Sequence, residues 1–324
     1  MIRRIFQALG TVLAGGVVAG GTSSAPAPLV RAPAATDGWV LVWSDEFDGP
    51  RLDRKKWDLD ADCWGGGNDE QQCYRGNPRN AGVVDGKLVI TARREQFTGA
   101  AWPMHMRGSV QWPNALATKP FTSARLTTKG KAAWCYGKFE IRARLPQGQG
   151  TWPAIWMLPE KDRYGKWAAS GEIDILEAVN LGVPCARCPG GRENTILGTL
   201  HFGGTWPKNL QKGDETHYPA VLDGGFHTYS LEWLPDRMTW QVDGQIYAER
   251  VANEWSTTGS QVPGAPFDQP FHLIINLAIG GKLAETRGLG GVAQDGYPKQ
   301  MEIDWVRVWQ RPGAGSEVPG QGGK

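Results

Sequence analysis

Short runs in which apolar and polar residues alternate, punctuated by Gly, Pro, Asp or Asn, recur along most of the chain. In GKFEIRARLP, Phe139, Ile141 and Ala143 fall on one side of an extended strand and Glu140, Arg142 and Arg144 on the other, the mark of one packed and one wet face. GKLVITARRE, HTYSLEWLP, RMTWQVDGQIY and MEIDWVRVWQ read as strands of the same kind. FHLIINLAIGG is nearly all apolar around Asn276. That suits a central strand with one polar group, turned toward a cleft or satisfied by neighbouring backbone. Helical periodicity is scarce and no internal repeat is present, so the pattern predicts an all-β sandwich.

One strand breaks the rule of alternation. GEIDILEAVN carries Glu172, Asp174 and Glu177, and strict alternation puts the first two on one face and the third on the other. A helix does no better, because positions 172 and 174 lie about 200° apart on it and 172 and 177 about 140°. A β-bulge near Ile175 and Leu176 restores the parity and gathers all three acids on one face. Carboxylates crowded in this way repel, so at least one holds its proton near neutrality. A carboxylate beside a carboxylic acid is the pair that cleaves a glycosidic bond, about 5–5.5 Å apart for retention and about 6.5–9.5 Å for inversion. A solvated acidic edge or a calcium site built from oxygen ligands would give the same letters.

The surroundings favour sugar chemistry. Trp152 and Trp156 stand four apart in GQGTWPAIWMLP, on one strand face, and Trp167 precedes Glu172 by five residues. Indole planes pack against the C–H faces of pyranoses. His201, in GTLHFGG, falls on a neighbouring strand, where it can bond a carboxylate or the substrate, or serve the structure alone.

Composition narrows the class. The chain has 324 residues, 21% of them charged, with a formal net charge of +2, which gives no global case for binding nucleic acid or an anionic membrane. Its 16 Trp and 44 Gly fit turn-rich β structure with many flat apolar surfaces. A basic start followed by an Ala/Gly/Val-rich stretch reads as a signal peptide over residues 1–27, with a Pro/Ala linker at 28–37, a globular domain at 38–311 and a flexible Gly-rich tail at 312–324. An exported, soluble monomer is the expectation, with no membrane association after cleavage. In that compartment Cys63 with Cys73, and Cys185 with Cys188, are candidate disulfides, the CxxC pair having zinc as its alternative; Cys135 is left over.

LVWSDEFDG, FTSARLTTKG, YGKFEIRARLP, GQGTWPAIWMLP, GEIDILEAVN, GTLHFGG, HTYSLEWLPDRMTWQVDGQ, PFHLIINLAIGG and MEIDWVRVWQ resemble, in order, the signature segments of glycoside hydrolase family 16, in particular its laminarinase-like endo-β-1,3-glucanases. The likeness spans about residues 38 to 310. It implies a β-jelly roll of two curved antiparallel sheets with a cleft for β-glucan, and hydrolysis by double displacement. Glu172 would be the nucleophile, Glu177 the general acid and base, and Asp174 the group tuning charge between them. With two residues between Asp174 and Glu177, the segment resembles the bulged branch of that family. The resemblance further implies that Trp152, Trp156, Trp167 and His201 shape the subsites near the cut and that Asn80 and Arg125 serve the donor side. It also implies a structural calcium ion held by Glu46, the Gly86 carbonyl and Asp304, with no cofactor needed for the chemistry. Relatives that bind glucan without cutting it, and others acting on mixed-linkage glucan or galactans, are the alternatives. Extra Gly and Cys in WGGGNDEQQCYRGNPRN, and aromatic inserts before FTSARL and His201, leave linkage and chain length open.

Overall fold

A computed structural model describes residues 38–313 and 316–317. The segments read as signal peptide and linker, and most of the tail, lie outside the described residues. The strands that position the site are, in chain order, β1 (Val40–Asp45), β2 (Ala81–Val84), β3 (Lys87–Ala92), β4 (Arg125–Thr127), β5 (Gly137–Arg144), β6 (Thr151–Pro159), β7 (Glu172–Glu177) and β8 (Thr195–Gly203). They continue with β9 (Asn209–His217), β10 (His227–Trp233), β11 (Arg237–Val242), β12 (Gln245–Val251), β13 (Phe271–Ile279) and β14 (Lys299–Gln310). The one α-helix among the described residues is the four-residue Lys282–Glu285.

These strands form two large sheets. The first has eight strands in the order β12-β11-β10-β5-β14-β3-β2, with β1 also on β14. The second has nine, centred on β9-β8-β7-β6-β13, with β4 and the short strand Ala133–Trp134 both alongside β13. All of these pairings are antiparallel. Ser316–Glu317, inside the stretch read as a tail, pairs with Ala133–Trp134.

Alternation in the sequence becomes alternation in burial. β5 reads buried and half-buried by turns, its Phe139, Ile141 and Ala143 sunk in the core. β13 is buried at all nine positions, as its apolar run requires of a central strand. Between the sheets lie Ile155, Met157, Ile173, Leu176, Leu200 and Ile275 from the second, facing Leu231, Trp240 and Val306 from the first. Burying such side chains is worth roughly 1.5–3 kcal/mol each before chain entropy is subtracted.

One core residue of the first sheet reaches the second sheet's backbone. The indole N–H of Trp240, on β11, donates to the carbonyl of Asp174 on β7 at 2.8 Å. It passes over Gly198 of β8, where a Cβ would stand 2.5 Å from the indole ring and 2.8 Å from the Tyr247 hydroxyl. Glycine at 198 is therefore a clearance for the indole. Trp240→Phe should lose about 1–3 kcal/mol from the unpaired buried carbonyl alone, read as a lower midpoint in urea unfolding. A midpoint equal to that of the parent protein would show that this bond contributes nothing to stability.

Candidate active site

β7 is bulged where its sequence demands it. On one flank Asp174 pairs with Thr199 and Glu177 with Leu197, so two intervening residues on β7 oppose one on β8. On the other flank Trp156 pairs with Asp174, Ile155 with Leu176 and Ala154 with Glu177, which identifies Ile175 as the extra residue. Ile173 and Leu176 stay in the core while Glu172, Asp174 and Glu177 share the opposite face. The Asp174 carbonyl that accepts from Trp240 lies at the start of this irregularity, so the core supports the bulge from behind.

Each acid has its own partner. Trp167 donates its indole N–H to Glu172 Oε2 at 2.5 Å, and Trp152 donates to Glu177 Oε1 at 2.9 Å. Asp174, between them and 3% exposed, faces His201 with Nε2 3.3 Å from Oδ2; His201 is in register with Glu172 across the β7–β8 pair. Trp156 donates to Asn276 Oδ1 at 2.6 Å, which answers the question of how that buried amide is satisfied. Trp167 is 38% exposed and stands 5.7 Å from the His201 ring, whereas Trp152 is 8% exposed. Trp152 thus supports an acid, and Trp167 both bonds an acid and presents indole surface.

Burial dominates the electrostatics. It pushes Glu172 up to about 8, with the Asp174 charge adding to the rise and His201 and the Trp167 bond opposing it. Burial also lifts Asp174 to about 6, against the pull of His201, and raises Glu177 against the Trp152 bond. His201 goes up to about 9: its burial opposes the charge, but the bond to Asp174 and the three acid charges outweigh it. Near neutrality the site therefore combines a cationic imidazole with carboxyls that share protons, Glu172 and Asp174 titrating as a pair.

A carboxyl raised by folding binds its proton more tightly folded than unfolded. The stability this gives Glu172 is complete below its ordinary value of 4.5 and is lost as pH rises toward about 8. His201 acts in the same sense, its contribution present below 6.5 and lost as pH rises through about 9. Glu172→Gln should accordingly be more stable than the parent protein at pH 8, by roughly 1–3 kcal/mol after allowance for coupling, and no more stable at pH 4. Urea unfolding at the two pH values checks this; equal gains at both would refute it.

Other predicted residues fall into place unevenly. Arg125 is in register with Asn276, so it flanks the acid-bearing strands, but it is 13% exposed at its side chain and ion-paired with Asp60, its guanidinium 5.2 Å from the Tyr74 ring centre. Asn80 bonds to none of the three acids. It is fully buried, its amide donating to the Thr91 carbonyl at 2.9 Å and the Thr122 hydroxyl at 3.0 Å, because its position before β2 turns it into the packing against β3. The expected calcium ligands lie on the first sheet, apart from the acids. Glu46 accepts two bonds from Arg307, at 3.0 and 2.8 Å, and Asp304 is ion-paired with Arg142. Both carboxylates are therefore already ion-paired. Cys63–Cys73 and Cys185–Cys188 are disulfides, and Cys135 is free.

Three residues near the acids carried no signal in the sequence. Gln149 donates to the carbonyls of Ala284, Arg287 and Gly291 and accepts from the Leu289 N–H. Asn180, three residues beyond Glu177, accepts from Gly150 N–H at 2.6 Å and donates to the Ala284 and Arg287 carbonyls. Together they fasten the segment 284–291 beside Trp152, which packs with Ala284 and Leu283. The charge of Arg287, on that segment, favours the ionised form of Glu177.

Residues 105–307 match the family model described as glycosyl hydrolases family 16. The chain belongs to this family. It is 42% identical over 283 residues to a glucan endo-1,3-beta-glucosidase of Cryptopygus antarcticus, a match covering 85% of this chain and 93% of that one. It is also 39% identical over 287 residues to the glucan endo-1,3-beta-glucosidase A1 of Niallia circulans, where the match covers 85% of this chain but 38% of the longer relative. The crystal structure of the laminarinase from Rhodothermus marinus superimposes with a TM-score of 0.67 at 39% identity, over 84% of this chain and 97% of that one. The two antiparallel sheets are thus the jelly roll of family 16, and the bulged strand lies within the matched region.

Proposed function

We propose that this family 16 chain is a retaining endo-β-1,3-glucanase acting on laminarin-type glucan. The observation that carries the reading is the bulge, which sets Glu172 and Glu177 on one face with separate indole donors and Asp174 between them. The relatives' names supply the glucan linkage.

In the first step a Glu172 oxygen bonds to the anomeric carbon as the carbon–oxygen bond to the leaving sugar breaks, and Glu177 gives its proton to the departing oxygen. Glu172 must be ionised to attack. The proton shared by the Glu172–Asp174 pair then resides on Asp174, and cationic His201 balances the remaining charge. In the second step Glu177, now a base, takes a proton from water, the water oxygen bonds to the same carbon, and Glu172 leaves as a carboxylate. Residues 1–27 and the two disulfides support action outside the cytoplasm.

The test is incubation with laminarin, lichenan and agarose, following reducing ends and the anomer first formed by proton NMR. Release of β-anomers from laminarin is expected. First-formed α-anomers would replace retention with inversion, faster release from lichenan or agarose would move the substrate, and retention of laminarin without cleavage would leave a binding protein.

A further inference from the structure

Outside the acid-bearing face, the described residues enclose two adjoining depressions that share Arg94. The larger, about 480 Å³, is lined by Arg94 and Lys119 with the neutral polar groups of Gln96, Thr118 and Gln294. The smaller, about 210 Å³, is lined by Arg79, Arg93, Arg94, Glu95 and Tyr297. Four cations thus face one acid. That acid is already occupied: Glu95 pairs with Arg79 at 3.1 Å and Arg75 at 3.8 Å and accepts from the Thr122 hydroxyl. The Arg93 side chain donates only to the Arg79 carbonyl, the Lys119 side chain only to the Glu70 carbonyl, and the Arg94 side chain has no hydrogen bond or ion pair among the described residues. The Tyr297 hydroxyl in the smaller depression is buried and without a partner. Asp295, next to Gln294 in sequence, does not line either depression.

Uncompensated guanidinium groups around a concave space, with a free phenol O–H, suit an oxyanion that accepts several donors at once. The place of the groove indicates what carries that anion. Lys119 holds the Glu70 carbonyl, the next residue donates its N–H to Ile279, and Gly281 lies against both Glu70 and Trp152. The groove is therefore on the outer flank of the segment whose inner side meets the Glu177 support. We propose that the Arg79–Arg93–Arg94–Lys119 groove binds sulfate-ester or carboxylate groups carried on a polysaccharide, on the flank of the cleft that cuts the glycan. The choice of polysaccharide rests on the proposed hydrolase reading; the anion chemistry does not.

Affinity electrophoresis at low salt, with the full protein in gels holding laminarin, sulfated laminarin, carboxymethyl-laminarin or DNA, tests this. Arg94→Glu and Arg93→Glu/Arg94→Glu, surface changes outside the cleavage machinery, are run beside the parent, and laminarin hydrolysis is assayed separately. Retardation by one or both anionic glucans beyond that by laminarin is expected, weakened about tenfold in the double variant with hydrolysis of neutral laminarin unchanged. Retardation only by the sulfated or only by the carboxymethylated polymer would name the group. Equal retardation by all the glucans, no change in the variants, or DNA retarding as strongly as the anionic glucans would overturn the proposal. A protein that binds anionic glucan as expected but leaves laminarin uncut would sink the hydrolase reading and keep the groove.

Discussion

Glu172→Gln is expected to lower laminarin hydrolysis by about four orders of magnitude or more, because the amide cannot form the ester with the anomeric carbon. The substitution is nearly isosteric. Its amide oxygen can still accept the Trp167 indole N–H that now bonds Glu172 Oε2, so the geometry on that side of the bulge is preserved. Laminarin should therefore bind the variant as it binds the parent while turnover disappears, a loss in kcat rather than in affinity. At pH 8 the same variant should be the more stable protein, since it no longer places an ionised carboxylate in a buried site beside Asp174. Lost activity with gained stability distinguishes a removed reacting group from a damaged fold. A kcat within tenfold of the parent would remove Glu172 from the chemistry.

How far the site could be read in advance depended on whether its parts are local. The parity conflict in GEIDILEAVN was visible in ten letters, and the register across β7 resolves it with Ile175 as the extra residue. The two tryptophans of GQGTWPAIWMLP share a face because 152 and 156 differ by an even number, and both indoles do bond on the acid-bearing side. What supports the bulge was not visible, since Trp240 and Gly198 meet only when the sheets pack. Gln149 and Asn180 were silent for a similar reason: they act through backbone carbonyls more than a hundred residues away. The packing of Asn80 was silent too, since its amide bonds to the Thr91 carbonyl and to the Thr122 hydroxyl 42 residues away. The basic groove combines residues near 79, 94, 119 and 297, and no window of sequence holds them together.

Glu177→Ala should fail differently from Glu172→Gln. Hydrolysis of laminarin should fall about 10²–10⁴-fold, the usual contribution of a general acid, and the alkaline limb of the kcat/KM profile should vanish with the group whose deprotonation causes it. A β-glucoside with an activated aryl leaving group needs no proton donor, so Glu172 should still form the glycosyl-enzyme from it, and release by water should become limiting. Azide needs no base and fits the space the side chain vacates beside Trp152. It should restore turnover and give the β-glycosyl azide, the product of two inversions at the same carbon. Sequence spacing cannot distinguish the two glutamates' roles, and their shared burial raises both. The configuration of the azide does distinguish them: an α-glycosyl azide from Glu177→Ala would mean that azide had displaced the leaving group directly from the nucleophile's side, and the two assignments would have to be exchanged.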